Sequence, residues 1–136
     1  MIFLPIGAFK AFEKLDALLE LDIGGCENID CTDALELLPT LPWVAKMQKL
    51  KLAGTNVRGV MPGLIVRLVS EGKASFEGCE GPFTLPEDLS SISDIQKVDL
   101  TSLGWNLGGD VSVFEQTPKI KQLNVAPPLS RECYLA

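Results

Sequence analysis

The same apolar pattern recurs five times along this chain, at a nearly constant spacing. Its central positions are Leu21, Leu50, Ala74, Val98 and Leu123, whose numbers differ by 29, 24, 24 and 25 in turn. A second apolar column, two positions further on, holds Ile23, Leu52, Phe76, Leu100 and Val125, and a third, nine positions earlier, holds Phe12, Leu41, Ile65, Leu89 and Phe114. A fixed period of this length predicts a repeat architecture, in which neighbouring units bury one another's apolar faces. We number these units as copies one to five.

Three segments follow a known repeat signature most closely: residues 18–26, 47–57 and 95–105. They resemble the leucine-rich repeat family, whose signature is L-x-x-L-x-L-x-x-N/C-x-L. The resemblance extends over residues 4–125 and gives about four and a half repeats of roughly 24–29 residues, a length typical of this family. Residues 108–114 are similar to the plant- and alga-like members of the family.

This resemblance implies an α/β fold, a leucine-rich-repeat solenoid in which residues 1–136 form a single domain. A curved parallel β-sheet would line the concave side, with short helices or 3₁₀ turns on the convex side. The strands are predicted near residues 19–23, 48–52, 73–76, 96–100 and 121–125. Because side chains alternate along a strand, the apolar columns should point into the core and their neighbours outward.

Capping and helix-breaking residues predict the segments between the strands. Short helices are predicted at 7–18 and 60–71, and another begins at 33–36 before two prolines end it. A 3₁₀ turn or a helix is predicted at 110–116, and the longest repeat step predicts a loop at 28–33. The turn position after each strand, usually Asn in this family, holds Cys26, Thr55, Cys79, Leu103 and Pro128, so we expect irregular turns in the last two copies.

The absence of histidine excludes more chemistry than any residue present suggests. It rules out Ser-His-Asp and Cys-His catalysis and histidine-ligated metals. The net charge of −6 argues against nucleic acid as a partner. The four cysteines form no CxxC pair, so we interpret them as reduced, small apolar residues, with a single disulfide as the alternative. We therefore predict no metal, no cofactor and no enzymatic activity; a thiol-dependent enzyme is the remote alternative.

The apolar stretches are too short to cross a bilayer, which takes about 20 apolar residues. The apolar N-terminal run lacks the basic start of a secretory signal. We expect an intracellular protein, either cytoplasmic or located in an organelle if an upstream transit peptide has been removed.

The resemblance implies a protein–protein interaction module that binds its partner through the concave face. The outward positions form two columns: Glu20, Lys49, Lys73, Lys97 and Gln122 in the first, and Asp22, Lys51, Ser75, Asp99 and Asn124 in the second. Three lysines in one column predict a docking stripe, with the lysines roughly 5 Å apart, for a partner with an acidic patch. The alternative is that these lysines only keep an exposed strand face soluble.

Charge is segregated along the chain. Residues 11–36 contain eight acidic residues and one basic residue, residues 46–73 contain six basic and one acidic, and residues 74–118 contain eight acidic and one basic. If sequence order is spatial order, a positive belt lies between two negative bands. Such bands either complement a partner or attract neighbouring copies to one another.

Two further hypotheses follow from the large apolar residues. Trp43 is a candidate exposed anchor, since aromatic residues are enriched at binding hot spots, with burial as the alternative. The apolar segments at 1–6 and 134–136 offer no polar cap for either end of a solenoid. They favour a second function, an accessory or structural subunit of a larger assembly, whose ends are covered by neighbouring proteins or by self-association.

Overall fold

The computed structural model describes residues 17–25, 31–32, 34–41, 43–79 and 81–125. Over these residues the chain is a mixed α/β protein with small parallel sheets and few helices. The predicted helix at 7–18, most of the predicted loop at 28–33, and the turn positions Cys26 and Pro128 lie outside the described residues.

Short strands alternate with short helical segments along the chain. The strands are β1 (Glu20–Asp22), β2 (Lys49–Lys51), β3 (Gly59–Val60), β4 (Ala74–Ser75), β5 (Phe83–Thr84), β6 (Lys97–Asp99), β7 (Leu107–Gly108) and β8 (Gln122–Asn124). The α-helices are α1 (Ala34–Leu37) and α2 (Gly63–Ser70). The 3₁₀ helices are Leu38–Thr40, Val44–Lys46, Ser90–Ile92, Thr101–Asn106 and Val111–Gln116.

Strands β1, β2, β4, β6 and β8 lie within the five segments predicted as strands. All their pairings are parallel, and Leu21 pairs with Leu50, Leu50 with Ala74, and Val98 with Leu123. The strand register is therefore the same as the spacing of the apolar pattern. These strands do not form the expected single sheet, because β1-β2-β4 make one sheet and β6-β8 make another.

Helix α2 occupies the point where this first set of strands is interrupted. The helix lies against both β4 and β6. The Asp99 backbone N–H at the end of β6 donates to the Ser70 hydroxyl at the end of α2 (3.0 Å), and Arg67 of α2 forms an ion pair with Asp94 (3.1 Å).

A second parallel sheet, β3-β5-β7, runs beside the first set and was not predicted. Gly59 pairs with Phe83 and Phe83 with Leu107, so each pairing again joins positions one repeat apart. The sequence contains a weak signal for this sheet, because Met61-Pro62 and Leu85-Pro86 follow β3 and β5 at the same spacing. Each strand has only two residues, which is too short to show an alternating pattern.

The helical segments begin and end close to the predicted positions. Helix α1 covers residues 34–36 of the start predicted at 33–36 and gives way to a 3₁₀ helix that contains Pro39. Helix α2 is shorter than the predicted 60–71, because Pro62 stands at its N-cap. Of the two alternatives predicted at 110–116, the structure has the 3₁₀ form, Val111–Gln116, and Asp110 caps it by accepting the Ser112 N–H (2.9 Å).

The apolar columns of the pattern contribute to the core, together with residues outside them such as Trp43 and Phe83. Leu50, Leu52, Val98 and Leu100 are fully buried, as are the third-column residues Ile65 and Leu89. At the turn positions, the Thr55 hydroxyl and the Cys79 thiol both donate to the Leu52 carbonyl, at 2.6 and 3.1 Å. These side chains stabilise the turn that follows β2.

Candidate functional site on the outer strand face

The predicted site residues occupy outward positions on or beside the first set of strands. Glu20, Asp22, Lys51, Lys73, Lys97 and Gln122 are exposed, whereas Lys49, Ser75, Asp99 and Asn124 are half-buried. The central residues between the two columns in copies two to four, Leu50, Ala74 and Val98, are buried. In copies two to four this alternation orients the column residues outward, whereas in copy five Leu123 itself is 37% exposed. We call the surface formed by the ten residues the strand face.

The strand face is divided by the interruption between β4 and β6. The β1-β2-β4 sheet brings together Glu20, Asp22, Lys49, Lys51, Lys73 and Ser75. The β6-β8 sheet brings together Lys97, Asp99, Gln122 and Asn124. The two groups are part of the same repeated columns but lie on separate sheets.

Acidic and basic residues face one another where β1 meets β2. Glu20 pairs with Lys49, and Asp22 pairs with Lys51. Directly opposed residues on neighbouring strands have Cβ atoms about 5 Å apart, and opposite charges there stabilise the pairing. At this junction residues of opposite charge therefore lie on neighbouring strands.

Two of the three lysines in the first column are close neighbours. Leu50 pairs with Ala74, so the residues that precede them, Lys49 and Lys73, lie side by side on neighbouring chain segments. The Leu50 N–H donates to the Lys73 carbonyl (2.7 Å). Lys73 also lies 3.7 Å from a carboxylate oxygen of Glu71. An exposed ion pair of this kind contributes less than about 1 kcal/mol, so it holds the Lys73 ammonium only weakly.

Lys97, the third lysine, does not follow at strand spacing. A depression of about 640 Å³ lies at the interruption, and its lining includes Lys73, Lys97, Arg67, Ser70, Glu71 and Asp94. The expected stripe of evenly spaced lysines is therefore wrong in its geometry. Lys49 and Lys73 are neighbours, whereas Lys97 belongs to the other sheet and borders this depression.

Two aspartates of the second column stabilise the turns that follow their strands. Asp22 accepts the Gly24 N–H (3.1 Å), and Asp99 accepts the Thr101 N–H (3.1 Å) and hydroxyl (2.6 Å). The hydrogen bond from the Thr101 side chain is the main reason that the pKa of Asp99 lies below its usual value, with its backbone amide and nearby Lys97 contributing. These carboxylates have a structural role in addition to their exposure on the strand face.

Trp43 is fully buried in the hydrophobic core, so the hypothesis that it is an exposed anchor is wrong. Its carbonyl accepts the Lys46 N–H (3.2 Å) and so begins the 3₁₀ helix Val44–Lys46. An indole ring removes a large apolar area from water when it is buried, which favours the core position.

The chain was compared with protein-family models, curated proteins and solved structures. None of them matches it. The function is therefore inferred from the residues and their arrangement.

The described residues contain little that points to other classes of function. Within them, no group of three or more Cys, Asp or Glu side chains is placed to hold a metal ion. Nor do they include a helix that is long and apolar enough to span a membrane. Cys31 and Cys79 are both buried. The Cys79 thiol donates a hydrogen bond to the Leu52 carbonyl, which stabilises the turn that follows β2.

Sequence reasoning missed a second depression, of about 970 Å³, beside the β3-β5-β7 sheet. We call it the acidic groove; its lining includes Val60, Pro62, Glu87, Asp88, Asp110 and Glu115. Glu87-Asp88 and Asp110 follow β5 and β7 at nearly the repeat spacing, and this recurrence is the signal that could have found it.

Proposed function

We propose that this chain is a non-enzymatic protein–protein interaction module with a leucine-rich-repeat solenoid fold. It binds an acidic patch of a protein partner through the strand face. The observation that carries this proposal is the recurrence of Lys49, Lys73 and Lys97 at the same outward position of three successive copies. The agreement between strand register and repeat spacing supports the fold assigned to it.

The three lysines can take part in binding without loss of the fold. Their side chains project outward while the residues beside them form the core. Lysines in such positions attract an acidic surface over a distance and orient it, mainly raising the rate of association. Because the acids of β1 oppose the lysines of β2, we expect the acidic patch of the partner to face β2, β4 and β6.

Charge reversal on the strand face tests this function. The variant combining Lys49→Glu, Lys73→Glu and Lys97→Glu should capture about tenfold less of a partner that the wild type retrieves from its native source, since like charges then face each other. A matched variant combining Lys46→Glu, Arg58→Glu and Lys119→Glu changes three exposed residues outside the two columns. It should capture as much as the wild type. Equal capture by the strand-face variant, with an unchanged circular dichroism spectrum, would remove the strand face as the binding site.

A second function, an accessory or structural subunit of a larger assembly, is favoured by exposed apolar side chains at the outermost described strands. Leu19, beside β1, is 44% exposed, and Leu123 of β8 is 37% exposed. Sedimentation velocity at micromolar concentration separates the two functions. A subunit with open ends should self-associate, and Leu123→Ser should reduce that association. A monodisperse monomer would count against the assembly function.

A further inference from the structure

The acidic groove runs across the β3-β5-β7 sheet, beside the residues that follow each of its three strands. It shares no lining residue with the strand face. Val60 of β3 pairs with Thr84 of β5, and Thr84 pairs with Gly108 of β7. Paired strands lie about 4.8 Å apart, so the groove crosses roughly 10 Å from the β3 side to the β7 side. A segment of a few extended residues has this length.

The two ends of the groove differ in polarity. The β3 side contributes Val60, Pro62 and Gly63, none of which is charged. The middle and the β7 side contribute four carboxylates: Glu87, Asp88, Asp110 and Glu115. Among the described residues that line it, there is no lysine or arginine to offset them. The groove is therefore apolar at one end and negative along the rest of its length.

The apolar end is open to a ligand. Val60 is 57% exposed, more than the other exposed large apolar side chains among the described residues, Leu19 and Leu123. An apolar side chain packed against Val60 and Pro62 would remove this surface from water, which is favourable in proportion to the area covered.

The negative part of the groove is held in a fixed shape before any ligand binds. The Gln116 side chain donates to the Glu87 carbonyl (2.8 Å) and accepts the Leu89 N–H (2.9 Å), which ties the two walls together. The lack of a side chain at Gly109 lets this wall of the groove lie close to Leu85 on the other wall. A Cβ atom at this position would be 2.9 Å from the Leu85 nitrogen, which is too close. A preformed site avoids part of the entropy cost of ordering it on binding.

Two of the carboxylates are also fixed in orientation and charge. Asp88 accepts the Ser90 N–H (2.8 Å), and Asp110 accepts the Ser112 N–H (2.9 Å). The hydrogen bonds to Ser90 and Ser112 lower the pKa of Asp88 and of Asp110. Glu87 and Glu115 have no side-chain hydrogen bond or ion pair of this kind in the described part of the chain, so they remain free to bind a cation.

We propose that the acidic groove docks an extended segment of a protein partner that has one apolar side chain followed by lysines or arginines. The apolar side chain packs on Val60, and the basic side chains face the four carboxylates. Guanidinium groups suit the second part because they form paired hydrogen bonds with carboxylates. The groove is separate from the lysines of the strand face. Because the groove is negative and the lysines are positive, the groove selects a basic partner segment, whereas the lysines select an acidic patch.

Fluorescence anisotropy with a defined peptide tests this proposal. The probe is a fluorescein-labelled hexapeptide of one leucine, one glycine and four alternating lysines and arginines. We expect saturable binding that weakens about tenfold or more between about 0.05 M and 0.5 M salt, because exposed charges are screened. A peptide with glutamates in place of the basic residues should not bind, and replacing its leucine by glycine should weaken binding severalfold.

Variants of the protein assign the peptide to the groove. Glu87→Lys with Glu115→Lys should weaken binding about tenfold or more, and Val60→Ser should weaken it severalfold. The matched control, Glu36→Lys with Glu77→Lys, reverses two acids outside the groove and should change binding less than twofold. If the double reversal lowers stability, Glu87→Gln with Glu115→Gln removes the charges more conservatively.

Three results would overturn the proposal. The first is no binding up to about 1 mM peptide. The second is equal weakening by the groove variant and the control variant, which would mean attraction to the overall negative charge only. The third is binding that does not depend on the leucine of the peptide or on Val60, which would leave the groove without its apolar contact.

Discussion

Over the same part of the chain, one set of parallel strands is interrupted and the other is continuous. The first set is interrupted between β4 and β6, where the Ser70 hydroxyl accepts the Asp99 N–H. The second sheet continues there, because β5 and β7 pair through Phe83 and Leu107 and through Thr84 and Gly108. The step along the chain from β4 to β6 is one repeat, as is the step from β5 to β7.

This difference teaches that the repeat spacing determines where a strand can form but not whether it pairs. Helix α2 contacts both β4 and β6, and its last residue, Ser70, supplies the acceptor of the Asp99 N–H. Copies three and four are therefore held together by the second sheet and by side chains. One of these is Asn106, which donates to the Cys79 carbonyl (2.9 Å).

The strongest way to break this arrangement is to remove the centre of the second sheet. Phe83 is 1% exposed, and its ring lies 5.7 Å from that of Phe76 in an edge-to-face arrangement. Phe83→Ala should lower the free energy of unfolding by about 3–5 kcal/mol, measured by urea denaturation. Phe83→Leu keeps most of the volume and should cost much less. A loss below about 1 kcal/mol for Phe83→Ala would show that the second sheet does not hold the molecule together.

A smaller change tests the interruption itself. Ser70→Ala removes the acceptor of the Asp99 N–H and should lower the free energy of unfolding by about 1 kcal/mol, because a half-buried amide loses its partner. The Asp99 amide should also exchange its hydrogen faster, as measured by NMR. Ser93→Ala, at an exposed serine, is the matched control. If the Asp99 amide stays as protected as in the wild type, then β4 and β6 pair directly when the hydroxyl is absent.

The smallest expected effect is at low pH. The pKa values of Asp88, Asp99 and Asp110 are lowered in the folded chain from the ordinary 3.8. The stability they contribute is therefore fully present above about pH 4 and is lost as the pH falls through the lowered values. Asp99→Asn should flatten this loss more than Asp110→Asn, because hydrogen bonds from the residue two positions on lower the pKa of both groups, and nearby Lys97 lowers the pKa of Asp99 further. Urea denaturation between pH 2 and pH 6, roughly the range of carboxyl titration, measures it; equal slopes in both variants would contradict the assignment.

The strands of the first set could be predicted because their signal is local. Leu50, Ala74 and Val98 mark the buried centres, and the residues on either side face outward. The pairing of Glu20 with Lys49 could also be predicted from the sequence, since the repeat spacing alone places them at the same position on neighbouring strands.

The interruption and the groove could not be predicted because they depend on contacts between distant elements. Nothing in the columns distinguishes Lys73 from Lys97, yet β4 and β6 belong to different sheets. The burial of Trp43 likewise depends on which elements close over it, because a single tryptophan has no periodicity of its own. The acidic groove requires Gln116 to reach the chain around Glu87, a contact between residues 29 positions apart.

The buried thiol of Cys79 provides a natural measure of how often copies two and three separate. Its sulfur donates to the Leu52 carbonyl and lies 3.8 Å from the Thr55 hydroxyl, and the residue is 3% exposed. A thiol reagent in solution can therefore modify it only when this junction opens. The rate at which Cys79 itself is modified in the native protein, distinguished from the other three cysteines by peptide mass spectrometry, reports the opening of that one junction.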